Sequence, residues 1–74
     1  MRKIVVVNIK SILKNYNISL RELSRRTDIR HATLSELSNH KRQNINFQHI
    51  EKIAEALDIH DIRQIIDFKT EEND

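Results

Sequence analysis

With 74 residues and a net charge of +2, the chain has room for one domain with a small core, and a domain of this size needs helix-rich packing or association to be stable. It has no cysteine, which excludes a disulfide framework and a thiolate metal site, and no apolar run near the roughly 18 residues of a membrane span. Glycine and proline are absent too, so the turns fall to Asn, Asp and His.

In chain order, Ile4, Val5, Val6 and Val7 are β-branched and read as a short strand, too short for the core of a secretion signal. A first helix is predicted over residues 8–16, with Ile9, Ile12, Leu13 and Tyr16 on one face and Asn17 to end it. A second begins at Ser19, a good N-cap. Glu22 stands three residues on, where its side chain can complete a capping box, and Ile18 and Leu23 stand where a hydrophobic staple would clasp. Leu20 and Leu23 share a face, Ser24 is small enough for a close helix crossing, and Arg21, Arg25 and Arg26 are left for solvent or phosphate. The period breaks at Thr27 and Asp28. Ile29 adds one buried residue, and Leu34 and Leu37 resume helical spacing. Two helices joined by about three turn residues make a helix-turn-helix.

Beyond it, a fourth helix is predicted from the cap Asn46, with Phe47, Ile50, Ile53, Ala54 and Leu57 on one inward stripe and Asp58 at its end. A short fifth helix is predicted over residues 60–66, turning Ile62, Ile65 and Ile66 inward. Residues 66–69 alternate apolar and polar, as a strand does, and a lone strand is unstable. The two terminal strands are therefore expected to pair as a ribbon, within one chain or between two. The domain is expected to span residues 1–69, followed by a disordered acidic tail over 70–74.

Charge is unevenly distributed. Residues 1–44 hold ten Lys or Arg against three acids, net +7, and residues 45–74 hold three against eight, net −5. The half with the helix-turn-helix is the cationic one, and a polyanion is its natural partner.

Leu23, Ser24, Ile29, Thr33, Leu34, Leu37 and Lys41, followed by Phe47, Ile50, Ile53, Ala54 and Leu57, resemble the DNA-binding domain of the lambda repressor and Cro family, also called the Xre-type helix-turn-helix family. The likeness runs over about residues 8–66. It implies an all-α, five-helix lambda-repressor-like domain that binds double-stranded DNA, with the terminal ribbon as an addition. The chain departs from the family pattern at three places. Asp28 and His40 stand where glycine is usual, and Arg30 stands where serine or threonine caps the recognition helix. Asp and His tolerate positive φ at some strain, but arginine cannot cap.

Transferred by position, the resemblance makes His31, Ala32, Thr33, Ser35 and Glu36 the base-facing residues of the recognition helix (His31–Ser38), with Arg30 at their edge and Leu20 as a further contact. The chemistry suits base edges: His31 can donate to a purine, Ala32 can meet a thymine methyl, Glu36 can accept from a cytosine amine and Arg30 can reach a guanine. Ser19, Arg21, Arg30, Asn39, Lys41, Arg42 and Gln43 are the phosphate-contacting set.

Other chemistry finds little support. The histidines at 31, 40, 49 and 60 lack metal-site spacing, and no nucleophile–base arrangement or glycine-rich phosphate cradle is present. The expectation is a cytoplasmic transcriptional regulator, a repressor rather than an activator, dimeric at least on DNA, with no cofactor, no small-molecule ligand, no membrane and no enzymatic activity. The alternative is a protein-interaction module, antitoxin-like or an anti-repressor partner, working through the acidic half.

Overall fold

The computed structural model describes residues 2–39 and 44–71. Strand β1 (Arg2–Val7) is followed by helices α1 (Ile9–Tyr16), α2 (Leu20–Thr27), α3 (His31–Ser38) and α4 (Phe47–Leu57), then a single 3-10 turn (Ile62–Gln64) and strand β2 (Ile66–Glu71).

Local chemistry sets the helix boundaries. The Ser19 hydroxyl oxygen accepts the Glu22 N–H at 3.0 Å, and the Asn46 side chain accepts the Gln48 N–H at 2.8 Å. Three helices end on a residue in the left-handed region: Asn17, Asp28 and Asp58, with φ of 54°, 56° and 54°. Each takes the place glycine would fill, because a short polar side chain lowers the cost of that conformation. The αL expectation for Asp28 therefore holds, while His40 lies outside the described residues.

One residue or more from every helix meets in a single core. Ile9 and Ile12 come from α1, Leu23 from α2, Leu34 and Leu37 from α3, and Ile53 and Leu57 from α4, with Ile29, Ile59 and Ile65 closing the gaps. Leu34 is fully buried, and truncating such a residue to alanine costs about 2–5 kcal/mol. The inner face of α3 is thus fixed to the core, which holds its outer face in place.

The all-α, five-helix expectation needs correction: the described residues form four α-helices and a two-stranded antiparallel sheet. In place of a helix over 60–66, only Ile62–Gln64 turn, held by the Asp61 carboxylate accepting the Arg63 N–H at 2.9 Å. The helix stops because Ile66 onward joins the sheet, where a β-branched residue packs better than in a helix. Ile65 is buried, but Ile62 points outward and is 54% exposed. Phe47, expected on the inner stripe of α4, is 77% exposed at the helix's first residue.

The terminal ribbon forms within one chain. β1 and β2 run antiparallel in the register Arg2–Glu71, Lys3–Thr70, Ile4–Lys69, Val5–Phe68, Val6–Asp67 and Val7–Ile66. The Asn8 N–H donates to the Ile65 carbonyl at 2.7 Å, carrying the pairing to the start of α1. The ordered chain passes the expected boundary at 69, because Thr70 and Glu71 pair with Lys3 and Arg2. The rest of the expected tail, 72–74, lies outside the described residues.

Candidate nucleic-acid interface

The α2–α3 turn is latched by hydroxyls. The Ser24 hydroxyl donates to the Ile29 carbonyl. The Thr27 hydroxyl donates to the Leu23 carbonyl at 2.7 Å and accepts the Ile29 N–H at 3.4 Å. The sequence marked Ser24 only as small and gave Thr27 no role. An ST-turn pattern, a hydroxyl two residues before a buried residue, is the signal that would have found the Thr27 contact. These bonds satisfy the polar backbone of a buried turn and fix how α3 crosses α2.

On α3, Leu34, Leu37 and Ser38 are buried. Ala32, Ser35, Glu36 and Asn39 fall at i, i+3, i+4 and i+7 and form the opposite stripe. Ala32, Glu36 and Asn39 are exposed, as are Arg30 and His31, while Ser35 and Thr33 are half-buried. Of the sequence-derived base-facing set, Arg30, His31, Ala32 and Glu36 are thus exposed on or beside this stripe, with Ser35 half-buried on it and Thr33 half-buried off it. Leu20 is half-buried against the core.

The first turn of α3 is uncapped. Arg30 occupies the cap position with φ −57° and ψ 139° and makes no side-chain cap bond, so the expected missing cap is real. The N–H groups of His31, Ala32 and Thr33 find no acceptor within the described residues. Together with the helix dipole they leave a positive, donor-rich end beside the Arg30 guanidinium.

α2 supplies the flank. Its capping box is half-formed: Ser19 caps Glu22, but the Glu22 carboxylate turns to Arg25 and, at 2.9 Å, to Arg26 instead of reaching back. A bidentate guanidinium contact outcompetes a single bond to a backbone N–H. Those bonds, from Arg25 first and then Arg26, hold the Glu22 carboxyl at about 2, well below its ordinary 4.5. Arg25 and Arg26 are therefore partly neutralised, whereas Arg21 and Arg30 are exposed and have no acidic partner among the described residues. The Ser19 hydroxyl keeps its proton for donation after accepting from Glu22. Lys41, Arg42 and Gln43, the remainder of the expected phosphate set, lie outside the described residues.

Among the described residues no group of three or more His, Cys, Asp or Glu could hold a metal ion, and no helix is long and apolar enough to cross a membrane. No curated protein and no solved structure matches the chain. The family model for the Cro/C1-type HTH DNA-binding domain matches residues 8–71, from the cap of α1 to the end of β2. An anchored second helix with an open polar stripe, set beside an arginine-bearing first helix, is the arrangement that match names: the chain belongs to the Cro/C1-type HTH DNA-binding domain family, and DNA is the partner that membership implies.

Proposed function

We propose that this protein is a cytoplasmic, sequence-specific regulator of transcription that acts as a repressor, laying α3 in the major groove of double-stranded DNA. The observation that carries this reading is the outward stripe Ala32, Ser35 and Glu36, which begins at the uncapped, positive end of α3 beside Arg30 and His31. In a helix-turn-helix the N-terminal residues of the second helix meet base edges while the first helix crosses the backbone.

In this reading Arg30, His31, Ala32, Thr33, Ser35 and Glu36 read bases, and Ser19, Arg21, Asn39, Lys41, Arg42 and Gln43 hold phosphates. Arg30 contributes to both sets. The chemistry asked of the chain is binding alone, so it is not an enzyme, and a helix that covers a promoter represses by occlusion. A single recognition helix reads few base pairs, which favours a homodimer on two half-sites about one helical turn apart.

Selection of bound sequences from a random duplex pool tests the reading. The expected product is a pseudo-palindrome with half-sites about 10 base pairs apart. If a dimer neutralises about eight phosphates, log K falls against log salt with a slope near −7. Recovery of no enriched sequence, with affinity flat across salt, would overturn it. That result would favour the alternative of a protein-interaction module, for which the exposed apolar side chains of Phe47, Ile62 and Phe68 are the supporting observation.

A further inference from the structure

A cleft of about 230 Å³ opens where the start of α1, the end of α3 and the ribbon meet, lined by Val6, Val7, Asn8, Lys10, Ser11, Ser38 and Lys69. That is several times the roughly 30 Å³ share of one water molecule, enough room for a phosphate group. Three independent features give the cleft one chemical character.

First, α1 begins without a cap. The Asn8 side chain makes no cap bond and instead donates to the Arg63 carbonyl at 3.4 Å, and no acidic residue sits in the first turn. The first intrahelical bond is Ile12 N–H to the Asn8 carbonyl, so the N–H groups of Ile9, Lys10 and Ser11 have no acceptor among the described residues. Second, two exposed lysines from distant parts of the chain line the cleft, Lys10 from α1 and Lys69 from β2, and neither has an acidic partner among the described residues. Third, Ser38, the last residue of α3, is nine-tenths buried and lines the same cleft, with no hydrogen-bond partner among the described residues, and its hydroxyl oxygen is not itself sealed from solvent. A hydroxyl without a protein partner is free to donate to what occupies the cleft. Open helix N–H groups, two cations and hydroxyl donors on a single opening select a tetrahedral anion.

We propose that this cleft is a phosphate-binding site, and that its ligand is a phosphodiester of the DNA backbone flanking the contacts of α3. This rests on the DNA-binding reading above. The proximity argues for the source, because Ser38 ends the helix whose outer face carries the base-facing stripe. The ribbon then has a role beyond closing the fold, since it delivers Lys69 to the nucleic-acid surface.

The experiment has two arms, both on the full chain. In the first, inorganic phosphate is titrated into the DNA-free protein and amide resonances are followed. Saturable shifts at residues 9–11 and 38, reduced in Ser38→Ala and in Lys10→Gln/Lys69→Gln, are expected. In the second, DNA affinity is measured against salt. The double lysine variant should lose about 0.9 from the slope for each site occupied in the complex. The loss should be the same on every sequence, while Lys14→Gln, one helical turn from Lys10 and outside the cleft, should behave as wild type. Thermal melts of the variants confirm that they fold.

No phosphate-dependent shifts and an unchanged slope would overturn the proposal. Phosphate shifts in a protein that binds no DNA would keep the site and reassign its ligand to free phosphate, overturning only the DNA source.

Discussion

Val5 and Phe68 face each other directly across the ribbon and are 61% and 69% exposed. A cross-strand aromatic–β-branched pair stabilises a sheet by about 0.2–1 kcal/mol, but both side chains keep most of their apolar area in water. Ile62 and Ile66 continue this surface to Phe47 and Ile50 through two adjoining apolar grooves. A contiguous patch of this kind on so small a domain is the surface on which the proposed homodimer would close. Edge-to-edge strand pairing is a less suitable mode, since the Asp67 carboxylate already takes the Phe68 N–H at 2.7 Å. Phe68→Ser is therefore expected to weaken self-association by tenfold or more in sedimentation equilibrium while shifting monomer stability little. Unchanged association would remove the ribbon face from the dimer.

Ser24 ties the helix-turn-helix from the inside. Replacing it with alanine leaves the buried Ile29 carbonyl without its donor, and an orphaned buried acceptor costs about 1–3 kcal/mol. Urea unfolding of Ser24→Ala should show that loss at an unchanged m-value. DNA affinity should fall on all sequences alike, since the crossing of the two helices loosens without any base contact changing.

Much of this was legible in the sequence because its periodicity is clean. Ile9, Ile12, Leu23, Leu34, Leu37, Ile53 and Leu57 occupy the core positions their spacing indicated, and Ser19 and Asn46 cap as their side-chain chemistry requires. The segment from Ile62 to Ile66 misled because its isoleucines fit a helical stripe while Ile66 also opens the apolar–polar alternation of a strand, and pairing with residues over fifty positions away decided between them. Phe47 misled for a related reason: the first residue of a helix has no preceding turn to pack over. Among the polar residues, Glu22 had two possible partners in reach, and only side-chain geometry shows that the arginines win.

Asp28 holds φ at 56° between the two helices, where glycine is the family's usual residue. Glycine would remove the roughly 1 kcal/mol left-handed penalty but loses some of that gain to backbone entropy in the unfolded chain. Asp28→Gly is expected to be neutral to about 1 kcal/mol stabilising, and Asp28→Ala destabilising by about 1–2 kcal/mol. Thermal unfolding of the pair checks the order, and alanine equal to glycine would mean that the turn relaxes out of the left-handed region.

Acid sensitivity should come from two surface carboxylates. Glu22 is lowered from 4.5 by hydrogen bonds from Arg25 and Arg26, and Asp61 from 3.8 by the Arg63 guanidinium and N–H, each to about 2. A carboxyl whose pKa is depressed on folding contributes stability that is complete above its unfolded value and is lost as pH falls through the folded one. The window is therefore about pH 4.5 to 2. Melting temperatures of wild type and Glu22→Gln/Asp61→Asn should differ modestly at neutral pH and converge toward pH 2, and salt should shrink the difference because both sites are exposed. Parallel curves across that range would contradict the assignment.

Arg30 concentrates a conflict between stability and binding. Its backbone, at φ −57° and ψ 139°, is already extended as an N-cap requires, yet its side chain cannot accept from the first turn of α3. Serine at this position would supply the missing acceptor and stabilise the helix by about 1 kcal/mol. It would also remove an exposed guanidinium from the edge of the stripe proposed to face bases and occupy a donor that phosphate or base would otherwise use. Arg30→Ser should therefore raise the melting temperature and the hydrogen-exchange protection of residues 31–37 while weakening DNA binding at least several-fold. Exchange in the wild type should show that protection only when DNA is bound, because the nucleic acid then does what the cap does not. A variant both more stable and equally tight on DNA would show that arginine is there for neither base nor phosphate, and equal protection with and without DNA would show that the uncapped turn is already firm.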